Sequence, residues 1–232
     1  MKTIGILGGM GPEATLEFFK TLLSYDKAER DQDHLHIIIE NNPAIPDRTA
    51  FILGKGENPL PAMLASAERL RIAGAELVGI PCMTAHHFLP EIRKNSPLRF
   101  VSALETMDRT LRDTYTEVRS LGILATAGTK AARLYESALP RYAILWPEEE
   151  EQKKLVMEAI YGRNGIKAGN RGEIPKALLK QAAELLIERG AQAIVAGCTE
   201  VPLALSQRDI SVPLLDPMHM LATVLVGQAR QG

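Results

Sequence analysis

The sequence nearly repeats itself once, and that repeat constrains the fold more than any other feature. Gly74-Ala75-Glu76-Leu77-Val78-Gly79-Ile80-Pro81-Cys82 aligns with Gly190-Ala191-Gln192-Ala193-Ile194-Val195-Ala196-Gly197-Cys198 at an offset of 116 residues. Each copy reads as a glycine helix cap, a short apolar strand and a terminal cysteine. Pro97-Leu98 and Pro213-Leu214 keep the offset, while Gly5-Ile6-Leu7 and Gly122-Ile123-Leu124 stand 117 apart. Self-similarity of this kind means one structural unit used twice. Any two α/β halves share glycine caps and apolar strands, so the matched cysteines carry most of the weight.

Within each half, short apolar runs alternate with longer amphipathic stretches, the pattern of parallel strands joined by crossover helices. Strands are expected at Thr3 to Leu7, Leu35 to Ile39, Glu76 to Ile80, Arg99 to Val101, Ser120 to Leu124, Tyr142 to Trp146, Gln192 to Ala196 and Pro213 to Leu215. Pro12 suits the first turn of a helix, and Gly74 suits a left-handed cap at the end of one. The expected fold is α/β, with two pseudo-symmetric lobes. Each is a mainly parallel sheet flanked by helices, and the active site lies in the cleft between them. Because Pro213–Gly232 corresponds to Pro97–Tyr115, each half is expected to end by crossing to the other. That gives a first lobe of residues 1–100 plus 212–232 and a second of 101–211.

Composition enters by exclusion. A chain of 232 residues, 46% hydrophobic, can bury a core without disulfides or a structural metal. With 27 Lys+Arg against 28 Asp+Glu there is no broad cationic field for nucleic acid. No apolar run approaches the ~18 residues of a membrane span, and the apolar start Ile4–Gly8 is too short for a signal peptide. The expectation is a cytoplasmic protein with no membrane partner, whose two cysteines are thiols.

Cys82 and Cys198 each follow a strand and precede a small polar stretch, Met83-Thr84-Ala85-His86 and Thr199-Glu200-Val201-Pro202. Ligands of open α/β sheets bind at this carboxyl edge, where helix N-termini offer N–H donors. A thiol there is expected to have its thiolate favoured and its pKa lowered toward neutrality. A free cysteine is otherwise a small buried hydrophobe. Two equivalent thiols across a pseudo-twofold cleft suit stereoinversion, in which one base removes a proton from a carbon and its counterpart returns one to the opposite face.

Five segments together resemble the aspartate/glutamate racemase superfamily, in particular its cofactor-independent aspartate racemases. They are Gly5-Ile6-Leu7-Gly8-Gly9-Met10-Gly11-Pro12, Asn42-Pro43-Ala44-Ile45-Pro46-Asp47-Arg48-Thr49, Pro81-Cys82-Met83-Thr84-Ala85-His86, Leu124-Ala125-Thr126-Ala127-Gly128-Thr129 and Gly197-Cys198-Thr199-Glu200. The resemblance spans the whole chain. It implies a two-lobed homodimer that racemises an acidic amino acid with no cofactor, neither pyridoxal phosphate nor a metal, with Cys198 acting on the L face and Cys82 on the D face. The substrate-contacting candidates it brings together are Met10, Asn42, Arg48, Met83, Thr84, Thr126, Lys167, Thr199 and Glu200.

One departure stands out. The family's usual Asn-Thr after the first cysteine is Met83-Thr84 here, exchanging a polar contact for bulk and a weak sulfur acceptor. Substrate carboxylates need cations and donors. Arg48 offers a planar fork in a Pro-rich segment, and Lys167 a point charge on a glycine-rich loop expected to be mobile, with Arg163 and Arg171 as competitors. Thr84, Thr126, Thr199 and the N–H groups after Gly9 are further donors. Glu200 either tunes Cys198 and orients Thr199 or caps the next helix, while His86 and His87 read as helix-surface residues.

Three other readings compete. Gly9-x-Gly11-x-x-Ala14 loosely fits a dinucleotide-binding oxidoreductase, but Glu40 lies 29 residues beyond Gly11 against the ~20 expected. A zinc site from Cys82, His86, His87 and Cys198 lacks supporting spacing. A non-catalytic or altered-substrate relative, with Met83 the cause, completes the set. Hydantoin racemisation and maleate isomerisation use related thiol architecture, and the Pro-Asp-Arg-Thr segment favours the amino-acid branch by resemblance.

Overall fold

A computed structural model of the chain describes residues 1–231; Gly232, the last residue of the expected first lobe, lies outside them. The eight expected strands are present as β1 (Ile4–Gly8), β2 (Ile37–Asn41), β3 (Leu77–Gly79), β4 (Arg99–Phe100), β5 (Ser120–Leu124), β6 (Ala143–Leu145), β7 (Ala193–Ala196) and β8 (Leu214–Leu215). They form two four-stranded sheets, β2-β1-β3-β4 and β6-β5-β7-β8, and every pairing is parallel. The orders are the same once the second sheet is renumbered, so the two α/β lobes are pseudo-symmetric.

The chain divides into two compact units. One holds Met1–Met107 together with the chain from Met218 on, and the other holds Asp108–Pro217. In the first unit β1 and β3 are central and buried throughout, as strands covered on both faces must be. Their apolar side chains pack with Met63, Leu70 and Ile92 from flanking helices. The C-terminal helix Pro217–Gln231 is tied into this unit by polar contacts. Lys2 N–H donates to the Ala229 carbonyl at 2.9 Å, and Arg230 Nε donates to Asp26 Oδ1 at 2.9 Å. Asp26 is fully buried and also accepts from the Leu35 N–H at 2.8 Å. In the second unit β5 and β7 are central, and Leu124 and Ile194 pack with Ile160, Leu179, Leu186 and Leu205. β8 pairs with β7 and so stays in the second sheet. Among the described residues, no helix is long and apolar enough to cross a membrane.

The repeated glycines fulfil one backbone requirement twice. Gly74 has φ +93° and Gly190 φ +95°, each ending a helix in the left-handed conformation that glycine adopts without a Cβ penalty. Pro12 begins the helix Pro12–Tyr25, as the chemistry of its missing N–H favours.

Gly9 is the tightest point of the first turn. Its φ is +93°, and a Cβ on it would sit 2.3 Å from the Asn42 backbone. The exits of β1 and β2 therefore close on one another directly. Gly9→Ala is expected to destabilise the chain by about 2–4 kcal/mol, combining a left-handed strain with a backbone clash. Chemical denaturation checks this, and a loss within a few tenths of a kcal/mol would mean the turn has a second conformation.

Candidate active site

The first half-site is built at the carboxyl ends of β1 and β3. β1 ends in the Gly8-Gly9-Met10 turn, which Thr15 holds from the next helix: Gly9 N–H donates to Thr15 Oγ1 at 2.9 Å and that hydroxyl donates to the Gly11 carbonyl at 2.9 Å. Gly8 is glycine for the same reason, since a Cβ there would meet the Thr15 side chain at 2.4 Å. Close packing of the same kind, rather than an approach to pyrophosphate, accounts for Gly9, one of the two glycines that suggested a dinucleotide site.

Arg48 opens the short helix Arg48–Ile52, which Asp47 caps by accepting from the Ala50 N–H at 2.7 Å. The Arg48 side chain is buried and turned back toward the chain. Nη1 donates to the carbonyls of Ile45 at 3.1 Å and Pro46 at 2.8 Å, and Nη2 to that of Met10 at 3.0 Å. It therefore fastens the Pro-rich loop to the β1 turn and brings a cation to the β1 edge. Met10 is itself buried. Asn42 braces the β2 exit, donating from Nδ2 to Ser66 Oγ at 3.1 Å and accepting from the Ala44 N–H at 3.1 Å.

Cys82 is 6% exposed and starts a 3-10 turn, Thr84–Phe88, through Ala85 N–H to the Cys82 carbonyl at 3.2 Å. Met83 and Thr84 are buried beside it, Met83 among the most deeply buried large side chains of the chain. His86 differs from the surface residue expected. Because the turn is 3-10 rather than α-helical, its ring points inward, where Nδ1 lies 3.0 Å from the Cys82 carbonyl and Nε2 accepts the Ala103 N–H at 3.1 Å. Those contacts require the neutral ring with its proton on Nδ1. Both nitrogens are thereby occupied, which removes His86 as a metal ligand, and no group of three or more His, Cys, Asp or Glu side chains able to hold a metal occurs among the described residues. His87 is exposed.

Burial pushes the His86 pKa from 6.5 down to about 4, outweighing the hydrogen bond to the Cys82 carbonyl. The sign follows from linkage. A depressed folded value gives a contribution fully present above ~6.5 and lost as the pH falls from there to about 4, amounting to about 3 kcal/mol. His86→Leu, which strands the Ala103 N–H, is expected to cost about 1–3 kcal/mol at neutral pH and to flatten this acid limb. Denaturation midpoints between pH 7 and pH 4 provide the check, and equal acid sensitivity in the two proteins would assign the limb to other groups.

The second half-site repeats the plan at β5 and β7. Cys198 is 6% exposed and starts its own 3-10 turn, Val201–Leu203, through Val201 N–H to the Cys198 carbonyl at 3.0 Å. This is the bond that Ala85 makes to Cys82, at the same offset of 116. After β5, Thr126 caps the helix Ala127–Ala131, accepting from the Thr129 N–H at 3.3 Å.

The surroundings of Cys198 form a connected polar chain. Its Sγ donates to Glu200 Oε2 at 2.7 Å, Thr199 Oγ1 donates to the same oxygen at 3.3 Å, and Lys167 Nζ donates to Glu200 Oε1 at 2.5 Å. Lys167 also stands 5.5 Å from the centroid of the Tyr161 ring. Its loop is anchored by Ile166, which is buried in the second core, and by Asn170 Nδ2 donating to the Asn164 carbonyl at 2.8 Å. Of the three candidate cations, Lys167 is the one whose ion pair reaches Glu200.

The lowered thiol pKa expected from a helix N-terminus is not found at Cys198. Burial and then the negative charge of Glu200 push it well above the ordinary thiol range, with Lys167 opposing them. The physical reason is that the turn following Cys198 is three residues of 3-10 helix, too short for a substantial dipole, while a carboxylate lies in direct contact.

Some neighbours gave no signal in the sequence. Tyr135 is completely buried, its hydroxyl has no hydrogen-bond partner among the described residues, and a Cβ on Gly197 would lie 3.0 Å from that oxygen. Burial first, then the charges of Cys198 and Asp216, raise its pKa further. Gln152 donates from Nε2 to the Ala125 carbonyl at 2.8 Å and secures the β5 exit. Neither residue lies in a recognisable pattern. Thr15 was the more legible, standing one helical turn beyond Gly11.

Comparison with known proteins places this architecture. A structure of Picrophilus torridus aspartate racemase superposes with a TM-score of 0.82 at 26% identity, covering 99% of this chain and 95% of that one. An aspartate racemase homologue from Pyrococcus horikoshii OT3 gives 0.77 at 25% identity, covering 99% and 100%. The broad specificity amino-acid racemase RacX of Bacillus subtilis (strain 168) is 25% identical over 226 residues, 94% of each chain. Residues 7–225 match the family described as Asp/Glu/Hydantoin racemase, and the chain belongs to that family.

Proposed function

We propose that the protein racemises an acidic amino acid, aspartate or glutamate, without pyridoxal phosphate, with Cys82 and Cys198 as the two bases. Family membership makes the chain a racemase-type isomerase; the substrate and the residue roles are our reading. The observation that carries it is the equivalence of the two cysteines. Each follows the third strand of its half, each starts a 3-10 turn with the same carbonyl, and each is almost fully buried.

In the proposed reaction Cys82 and Cys198 act on the same substrate. A thiolate takes the α-proton, the bonding electron pair remains on the α-carbon and delocalises into the adjacent carboxylate, and the other thiol delivers its proton to the opposite face. Proton transfer by a positioned group contributes about 10²–10⁴-fold. Backbone N–H groups at the starts of the two turns and the Thr84, Thr126 and Thr199 hydroxyls are proposed to stabilise the developing charge. Arg48 and Lys167 are proposed to receive the carboxylates, with Met10, Asn42, Met83 and Glu200 shaping the remainder of the pocket. A homodimer in the cytoplasm belongs to the same proposal.

A second reading has a specific support. Met83 is apolar and deeply buried, Arg48 already serves three carbonyls, and one full-length relative is a broad specificity amino-acid racemase. These favour a wider amino-acid range over strict dicarboxylate use. Incubation in deuterium oxide with L-aspartate, L-glutamate and a panel of neutral amino acids tests both. α-Deuteration with loss of chirality, without added pyridoxal phosphate, supports racemisation, and the preferred substrate chooses between the readings. Absence of exchange from every amino acid would refute both.

A further inference from the structure

Glu200 stands where two functions meet. One carboxylate oxygen accepts a hydrogen bond from the Cys198 thiol at 2.7 Å, the other accepts from Lys167 at 2.5 Å, and the residue is only 4% exposed. A carboxylate is thus already lodged between the cation and the thiol, in the place where the racemase reading would bring a substrate carboxylate. We propose that Glu200 is a positioning residue that keeps Cys198 protonated and Lys167 occupied while the site is empty, so that an incoming carboxylate must take Lys167 from Glu200.

The charges around the thiol fix the sign of each consequence. Glu200 and Lys167 act on it directly and oppositely, and the buried Tyr135 hydroxyl feels the charges of both Cys198 and Asp216. Tyr135 is neutral, since burial holds its proton, and neither it nor Asp216 changes in the variants below. Removing the Glu200 charge removes repulsion from a thiolate, while removing the Lys167 charge removes attraction. A bulk packing role for either residue would give no such opposition of signs.

The idea depends on the racemase reading only for the identity of the anion, and its test needs no turnover. The chain has two cysteines, so Cys82→Ser leaves Cys198 as the single thiol, and its alkylation by iodoacetamide can be followed against pH in the full chain. Glu200→Gln, which preserves shape, is expected to move the alkylation midpoint down by about one pH unit, a tenfold gain in thiolate. Lys167→Met is expected to move it up. Succinate, a dicarboxylate with no amino-bearing carbon to invert, is the binding probe by calorimetry. It should bind about tenfold more tightly to Glu200→Gln, in which residue 200 no longer competes as an anion for Lys167, and more weakly to Lys167→Met. Midpoints that move together or stay in place overturn the proposal, as does succinate affinity unchanged or undetectable in all three proteins. Success here beside failure of deuterium exchange would retain the latch and discard racemisation; the reverse would discard the latch alone.

Discussion

Cys82→Ala and Cys198→Ala are each expected to lower inversion of configuration by about a thousandfold or more, because each removes one of two bases that act in series on the same carbon. The informative result is the asymmetry between the variants. With Cys198 retained, α-deuterium should wash into the hand of substrate whose proton faces Cys198, and with Cys82 retained into the other hand. By resemblance these are the L and D hands respectively. The measurement is proton exchange in deuterium oxide with each pure enantiomer, read with circular dichroism for chirality. Retention of full activity by either variant sinks the two-base scheme. Exchange of both hands by one variant would indicate a single base with access to both faces.

Arg48→Ala should have the second-largest effect, and it separates two roles. The guanidinium donates to the carbonyls of Met10, Ile45 and Pro46 within a buried environment. Its removal strands those acceptors, and charged hydrogen bonds of this kind contribute about 1.5–3 kcal/mol each in isolation, with incomplete additivity. A loss of about 3–5 kcal/mol in unfolding free energy is therefore expected. Arg48→Lys keeps the charge but loses the fork, and is expected to recover part of the stability. If Arg48 also receives a carboxylate, the lysine variant should show a raised KM for aspartate with little change for neutral amino acids. A folded Arg48→Lys protein with unchanged kcat/KM for dicarboxylates would confine Arg48 to holding the loop.

The strands were legible because a parallel sheet buries its central strands on both faces, which leaves short continuous apolar runs in the sequence. The assignments for Ser120–Leu124 and for the strand expected at Thr3–Leu7 needed little else. The Cys82 and Cys198 positions were legible from the repeated register, and Gly74 and Gly190 from the demand for a left-handed cap. His86 was not. Its inward orientation depends on the turn being 3-10, a difference in winding that four residues after a cysteine do not announce. Arg48 was recognised as a cation of the correct loop, but its three carbonyl partners lie on backbone whose path is set by folding. Lys167 and Glu200 were singled out separately, and their contact across 33 residues of chain has no trace in either local pattern.

The sequence by itself determined the α/β class, the duplicated unit and the presence of one thiol at each equivalent strand end, because periodicity, glycine conformation and side-chain type are local properties. Tertiary structure alone decided the electrostatic state of Cys198. Charges act through space, and the carboxylate that raises the Cys198 pKa and the lysine that opposes it come together only when the loop bearing Lys167 packs against the turn after β7.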